Sequence, residues 1–380
     1  MKYGLVVHEQ KLDEERAQEN VQHIINLGNY VQWLAIEQLY LYIGISESDI
    51  VRLSSEELRT YKGEQMILPI NYIMFDTDMC VYTTKDRRFA FSDCITPVFL
   101  GFSVKNGYWE WTEERIEYFK KYEPIGCRDY LTWKTMVDLG INAYMAGCIT
   151  WTLPLHKGRK QGRTTYFVEA PKALEKYIPS ELREDYKCIS QEIEISKEQF
   201  YDYEYGYKIT KTLLEEYDKN ARLVVTSRLH CASPCMAMGI PVILAKEYYG
   251  HPYDFLKKFL PMYSYKNLDQ IDWNPEKVDM ESYKKIALEC AKKRLLGENA
   301  DEEIRKLHEE FAFLYKDGYQ EGKLDLGFLF QKLASRYGKN EKFSYAIWGI
   351  SKDAEKIYEY INVNYPNAKL VKVIDSFRKQ

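Results

Sequence analysis

The sequence predicts a soluble α/β protein with two parallel-sheet domains and a small α/β segment appended at its C-terminus. Short β-branched runs alternate with helical patterns, which is typical of parallel strands joined by helices. The chain has 380 residues, more than one ordinary hydrophobic core organises. A basic stretch with two glycines at 153–163 has no apolar period, so we expect it to link the two domains.

The first predicted domain spans residues 1–152. Its strand and helix patterns lie at 3–9, 25–44, 96–104 and 123–148. The apolar period of the second pattern favours a helix that begins just after Gly28-Asn29. The third pattern is a nearly continuous apolar run, which suits the interior of a sheet. The fourth predicts one βαβ unit with a helix stop at Gly140.

The second predicted domain spans residues 164–338. Its patterns lie at 164–170, 221–247 and 280–335. The segment 221–247 repeats the strand–turn–helix–strand order of the first domain. The remaining residues, 339–380, predict an appended βαβ-like segment. Its single turn glycine, Gly349, is too little for a dinucleotide fingerprint, so no redox cofactor is expected.

The charge balance argues against nucleic acid as a partner. Lys and Arg total 53 and Asp and Glu total 57, which leaves a net charge of −4. A protein that binds nucleic acid is expected to present a basic field.

Apolar runs and cysteine spacing exclude further classes. No stretch approaches the ~18–20 continuous apolar residues of a membrane span, and the first residues lack the apolar core of a signal peptide. The eight cysteines show no paired CxxC spacing, so neither a metal site nor a disulfide framework is expected. We therefore expect a cytoplasmic protein.

The strongest local signal for function lies in 224–244. The pattern predicts a buried strand that stops at Thr226-Ser227 and a helix from near His230 to Gly239. Amides from Cys231 to Ser233 would then point free at the helix N-terminus, where an anion is favoured. Strand ends are also where open α/β sheets bind ligands.

Two side chains at this turn could act on an anion. Arg228 offers a bidentate donor for phosphate or carboxylate, and His230 offers a proton donor that titrates near neutrality. The structural alternative is that Arg228 clamps the helix end and His230 caps it. The coincidence of helix end, arginine and histidine favours a functional site.

Arg128 occupies the same position in the first domain. It follows a predicted strand and precedes a predicted helix, for which Asp129 is a suitable N-cap. Arg128 is then free to face a cleft. Arg128 and Arg228 together would clamp a small, doubly charged anion.

Weaker signals come from Gly28, Asn29, Gln32 and Lys246. A Gly-Asn turn brings backbone close to a ligand, although most such dipeptides only turn the chain. Lys246, just after a predicted strand, could reach the same anion or remain solvated.

These segments together resemble the polysaccharide pyruvyl transferase family. The resemblance is carried by Asn26 to Gln32, by Arg128-Asp129 with Gly140 and, above all, by the block SRLHCASPCMAMGIPVIL at 227–244. It implies two Rossmann-like domains that face each other across a cleft, in a GT-B-like arrangement. It also implies transfer of a pyruvyl group from phosphoenolpyruvate to a sugar hydroxyl as a ketal.

The resemblance assigns roles to individual residues. His230 would be the general acid, and the donor would be bound by Arg228, Leu229, Arg128, Ser227 and Cys231. Gly28, Asn29, Gln32 and Lys246 would contact acceptor or donor. Phosphoenolpyruvate is then a co-substrate, and no cofactor or metal is implied. The acceptor would be a saccharide of exopolysaccharide biosynthesis, with peripheral contact to a lipid-linked glycan.

Two other functions remain open at this point. A glycosyltransferase could hold the diphosphate of a nucleotide-sugar donor at Arg228 and the helix N-terminus. A non-catalytic sugar-binding or scaffold protein would suit the 33 tyrosines and the appended segment. The intact Arg-Leu-His turn argues against a scaffold.

Overall fold

The protein folds into two compact units, Met1–Lys316 and Asp317–Gln380. The computed structural model describes residues 1–7, 23–55, 57–71, 89–104, 111–155, 162–200, 202–314, 333–334, 336–348 and 352–374. Of the predicted linker 153–163, residues 156–161 lie outside the described residues. The division at this linker therefore stays a prediction.

The strands and helices of the first unit follow each other in α/β order. The strands are β1 (Lys2–Val7), β2 (Ile24–Asn26), β3 (Ile50–Ser54), β4 (Met66–Ile70), β5 (Ile95–Phe102), β6 (Ile125–Cys127), β7 (Ala143–Met145), β8 (Thr164–Val168), β9 (Tyr186–Ile189), β10 (Glu192–Glu194), β11 (Ala221–Thr226), β12 (Val242–Ala245) and β13 (Met262–Tyr263). The helices are α1 (Leu27–Ile43), α2 (Glu113–Lys121), α3 (Tyr130–Asp138), α4 (Lys197–Phe200), α5 (Tyr203–Asn220), α6 (Leu229–Ala237), α7 (Glu281–Leu296) and α8 (Asp301–Glu310).

The first sheet has the order β3-β1-β4-β5-β6-β7, and its strands are parallel. The apolar run predicted for a sheet interior forms β5, and its residues Phe99 and Phe102 pack against Phe119 of α2 with no exposed surface. The predicted βαβ unit is confirmed as β6, α3 and β7, with Gly140 at φ +71° after the helix. A left-handed residue after a helix favours glycine, which explains the stop.

The second sheet has the order β13-β12-β11-β8-β9 and is also parallel. Strand β11 lies at its centre, and Val224 and Val225 are completely buried. The mixed α/β fold with parallel sheets is therefore confirmed. A separate antiparallel pair joins β2, which directly precedes α1, to β10, which follows β9.

Helix α1 begins earlier than predicted. Asn26 is its N-cap, because the Asn26 side chain accepts a hydrogen bond from the amide of Gly28 at 2.9 Å. Gly28 and Asn29 therefore lie in the first helical turn, and the predicted Gly-Asn turn is wrong.

The second unit contains β14 (Ser344–Trp348), α9 (Lys352–Asn364) and β15 (Lys369–Ile374). The two strands pair in parallel, so this segment is a strand–helix–strand unit. Within the described ranges of the whole chain, no helix is both long and apolar enough to cross a membrane.

Candidate functional site

Arg228 lies where strand β11 leaves the second sheet. The Thr226 hydroxyl donates to a carbonyl of β8 and accepts from the amide of Arg228, each at 2.9 Å. Helix α6 then starts at Leu229 with Arg228 as its N-cap residue, and Gly239 follows the helix with φ +75°. The predicted strand–turn–helix is confirmed, and its helix starts one residue before His230.

The amides at the start of α6 are engaged within the protein. Those of Cys231 and Ala232 donate to the carbonyl of Arg228 at 3.2 and 2.9 Å. The prediction of free amides is therefore wrong for Cys231 and Ala232, because the first turn closes on the Arg228 carbonyl. Cys231 is completely buried. Its contact with the donor substrate stays a prediction.

Arg228 is held by two carboxylates. Its Nε is paired with Glu169, and its Nη1 lies 2.9 Å from Oε1 of Glu192. Burial lowers the pKa of the Arg228 guanidinium. Its neighbour Ser227 uses its polar groups locally: the hydroxyl donates to the carbonyl of Glu169 at 2.7 Å, and the carbonyl accepts from the Tyr253 hydroxyl at 2.9 Å.

His230 is half-buried between the second sheet and segments that belong to the first half of the chain. Its backbone departs from helical geometry at φ −83° and ψ 18°. Its Nε2 lies 3.7 Å from Sγ of Cys148. A Cβ atom on Gly28 would lie 3.1 Å from both Cβ and Nδ1 of His230, so only glycine lets α1 approach this ring so closely.

The imidazole of His230 is neutral at pH 7. Burial, and secondly the positive charge of Arg128, lowers the pKa of His230 to about 3. The expectation that His230 titrates near neutrality is therefore wrong for the ligand-free protein. Proton donation needs a bound anion that raises this pKa.

Arg128 and Asp129 make different contacts at the turn between β6 and α3. Asp129 caps α3, because its Oδ1 accepts from the amide and the hydroxyl of Thr132 at 2.9 and 2.8 Å, and Ser103 donates to its Oδ2 at 2.6 Å. Arg128 is only 3% exposed, and in the described part of the chain its Nε has no hydrogen-bond partner. Its positive charge contributes, after burial, to the lowered pKa of His230.

Tyr253 is a site residue that the sequence did not reveal. It lies in a 3-10 helix at His251–Lys258. Burial raises the pKa of Tyr253, and the charges of Arg228 and Arg128 oppose this shift. Lys246 Nζ lies 5.7 Å from the centre of its ring, and burial and Arg228 lower the pKa of Lys246.

Gln32 lies one helical turn after Gly28, on the same face of α1. Its side chain is 3% exposed, and neither its amide nitrogen nor its amide oxygen has a hydrogen-bond partner among the described residues. The side chain of Asn71, at the end of β4, donates to the main-chain carbonyl of Gln32 at 3.5 Å. Asn29 is half-buried in the same first turn, and its role stays a prediction.

The structure thus collects several predicted residues around one positive region. Those that interact there are His230, Arg128, Arg228, Lys246 and Gly28. Tyr253, Cys148, Glu169 and Glu192 join them from parts of the sequence that carried no signal. Three cations in this region can bind a polyanion. A bound anion would raise the pKa of His230, so that the imidazole could first take up a proton and then donate it.

Comparison with known proteins is consistent with this chemistry. No curated protein matches the chain. The model of the polysaccharide pyruvyl transferase family matches residues 26–245, which span both parallel sheets from α1 to β12 and exceed half of the 380 residues. By this match, the chain with its two arginine turns belongs to the polysaccharide pyruvyl transferase family.

Proposed function

We propose that the protein transfers a pyruvyl group from phosphoenolpyruvate to hydroxyls of a saccharide, where the group becomes a ketal. The observation that carries this proposal is the position of His230, which follows a strand of the second sheet but lies against α1 and the segment after β7. Its Nε2 is 3.7 Å from Sγ of Cys148, and a Cβ atom on Gly28 would lie 3.1 Å from its Nδ1. Burial and, secondly, the charge of Arg128 lower the pKa of this histidine. A small molecule with a phosphate and a carboxylate suits such a site.

Charge and burial support a dianionic donor. A buried guanidinium nitrogen without a partner is unfavourable, by about 1–3 kcal/mol or more for a charged group, and Arg128 Nε is such an atom among the described residues. An anionic group that accepts from Arg128 removes this penalty. Arg228 and Lys246 supply positive charge for the second anionic group.

His230 would protonate the methylene carbon of phosphoenolpyruvate. The bound anion offsets the charge of Arg128, which raises the pKa of His230 from about 3 and lets it bind a proton. Proton transfer leaves an oxocarbenium-like carbon that one sugar hydroxyl attacks. A second hydroxyl then replaces the phosphate, and each hydroxyl releases one proton. Arg128 and Arg228 stabilise the departing phosphate.

The acceptor would lie against the first turns of α1. Gln32 offers one donor and one acceptor that are both buried and unpartnered within the described ranges. A phosphate or carboxylate oxygen accepts only, whereas a hydroxyl both donates and accepts. Gln32 is thus better matched to a sugar hydroxyl, with Gly28 and Asn29 beside it.

The family match supports a proposal for the wider setting of this reaction. We assign the two parallel sheets to Rossmann-like domains that face each other across a cleft, as in GT-B enzymes. The acceptor would be a precursor of an exopolysaccharide, held in the cytoplasm and reached by peripheral contact when it is lipid-linked.

The test is a product assay. The purified protein is incubated with phosphoenolpyruvate and a panel of oligosaccharides, and mass spectrometry detects a pyruvate ketal. His230→Ala should lower turnover by a factor of about 10² to 10⁴, while phosphoenolpyruvate affinity and folding are retained. His23→Ala is the control, since this half-buried histidine packs against Phe200. Full activity of His230→Ala would remove His230 from the mechanism.

A thermal-shift assay separates this function from nucleotide-sugar transfer. A ligand at 100 times its Kd stabilises a protein by about 2.7 kcal/mol. Phosphoenolpyruvate should raise Tm, and UDP-, GDP- and CMP-sugars should not. Stabilisation by a nucleotide sugar alone would instead identify a glycosyltransferase.

A further inference from the structure

Two carboxylates of different character face Arg228. Glu169 follows the last residue of β8, and Glu192 begins β10. Nε of Arg228 is paired with Oε2 of Glu169, and Nη1 of Arg228 lies 2.9 Å from Oε1 of Glu192. An anion-binding guanidinium with two acidic neighbours requires a physical account, because these carboxylates compete with any anionic ligand.

Glu169 is fixed in place. Its Oε1 accepts from the hydroxyl of Ser190 at 2.7 Å and from the amides of Gln191 and Glu192 at 3.2 and 3.3 Å. In the described part of the chain, Glu169 is the one non-glycine residue with positive φ, at +48°. Such a backbone persists only where its surroundings hold it, and Ser227 does so by donating to the Glu169 carbonyl at 2.7 Å.

Glu192 is free to move. Its side chain is 49% exposed, whereas that of Glu169 is 19% exposed. The hydrogen bonds recorded for Glu192 involve its backbone, and Arg228 Nη1 is its ion-pair partner among the described residues. A carboxylate this exposed regains most of its hydration when it leaves, so its ion pair contributes little to stability.

We propose that Glu169 is a positioning residue that holds Arg228 towards the donor, and that the donor's anionic group displaces Glu192 from Nη1. This inference rests on the proposed function, because it takes Arg228 as a donor-binding residue. Glu169 keeps the guanidinium of Arg228 in the same orientation with and without bound donor. Glu192 neutralises the charge of this guanidinium only while no donor is bound.

Removing the two charges separately should change donor affinity in opposite directions. Glu192→Gln removes a competitor and should tighten binding about two- to fivefold, as expected for an exposed ion pair. Glu169→Gln keeps an oxygen for the three donors but releases Arg228, and should weaken binding about tenfold. The donor KM of Glu192→Gln should fall with kcat unchanged. Residues that only supported the fold would not shift donor affinity in opposite directions when they are substituted.

Titration calorimetry with phosphoenolpyruvate, inorganic phosphate and UDP measures the three dissociation constants. Glu309→Gln is the matched control, because it removes a carboxylate from the exposed pair with Arg305 and should change no dissociation constant. Shifts of the same sign in Glu169→Gln and Glu192→Gln would overturn the inference and leave the proposed function intact. Opposite shifts for UDP, with no binding of phosphoenolpyruvate, would support the inference and overturn the proposed function.

Discussion

Arg128 and Arg228 each follow a strand of a parallel sheet and precede a helix, but their surroundings are opposite. Arg128 is 3% exposed, and its Nε has no hydrogen-bond partner in the described structure. The side chain of Arg228 is 28% exposed and is paired with Glu169 and Glu192. The same local pattern therefore yields one buried arginine whose Nε lies 3.9 Å from a carboxylate of Asp129 without a hydrogen bond, and one more accessible arginine that is paired with two carboxylates.

The capping position differs between the two turns. At the first turn Asp129, the residue after Arg128, caps α3 and has its oxygens occupied by Thr132 and Ser103, so Nε of Arg128 lies 3.9 Å from it. At the second turn Arg228 is itself the N-cap residue of α6 and makes no side-chain capping hydrogen bond. Its guanidinium is paired instead with Glu169 and Glu192.

The largest expected effect separates the two arginines by rescue. Arg128→Met should lower kcat/KM for phosphoenolpyruvate about thousandfold, as loss of a preorganised electrostatic group does. Arg228→Met should also be severely impaired, because it leaves Glu169 facing the donor. Adding Glu169→Gln should restore about tenfold in Arg228→Met, and adding Asp129→Asn should restore nothing in Arg128→Met. Steady-state kinetics of both double variants provides the check, and equal rescue would contradict the comparison.

The second expected effect concerns stability at the two turns. Asp129→Ala removes a buried cap and the carboxylate nearest Arg128, and should lower the free energy of unfolding by about 3 kcal/mol or more. Ser227→Ala removes one hydrogen bond to the Glu169 carbonyl and should lower it by about 1 kcal/mol. Urea unfolding measures both values. Similar losses of unfolding free energy in the two variants would mean that Asp129 and Ser227 stabilise their turns to the same degree.

A smaller effect is expected where α1 fits against His230. Gly28→Ala places a methyl group 3.1 Å from the Cβ and Nδ1 of His230, so the ring must shift. Turnover should fall about tenfold, since a displaced proton donor transfers less efficiently. Leu41→Ala, an exposed residue near the other end of α1, is the control and should change turnover less than twofold. Equal effects of the two substitutions would remove the special role of Gly28.

The last expected effect is a pH dependence that comes from the burial of His230 and, secondly, from the charge of Arg128. The pKa of His230 is about 3 in the fold, against an ordinary 6.5. The unfolded chain therefore binds the proton more readily, so this contribution to stability is complete above pH 6.5 and falls as the pH drops towards 3. Between neutral pH and about pH 5, wild-type protein should lose more stability than His230→Asn. Urea midpoints at the two pH values test this, and parallel losses would contradict it.

The sequence predicted what local chemistry determines. Gly140 and Gly239 both have positive φ after a helix, so the two strand–turn–helix–strand units could be located from their glycines and apolar runs. The start of α1 was missed because the capping side chain, Asn26, comes before a buried leucine and was not recognised as a helix signal. The predicted start is three residues late, since α1 begins at Leu27, so Gly28 and Asn29 lie in a helix and not in a turn.

The sequence could not predict what long-range packing determines. Glu169, Glu192, Cys148 and Tyr253 reach the site because separate strands and turns end beside it. None of them lies in a pattern that indicates function. The pKa of His230 was mispredicted for the same reason, since burial depends on how the two halves meet.

The antiparallel pair of β2 and β10 has a consequence for how the molecule is made. Asn26, the cap of α1, lies opposite Glu192, and the amide of Leu27 donates to the carbonyl of Gln191 at 2.8 Å. During synthesis, strands β1 to β7 emerge from the ribosome before this partner exists. The start of α1 therefore gains this partner only after β10 has been translated. Pairing between segments so far apart in the chain carries a loop-closure cost before its contacts form.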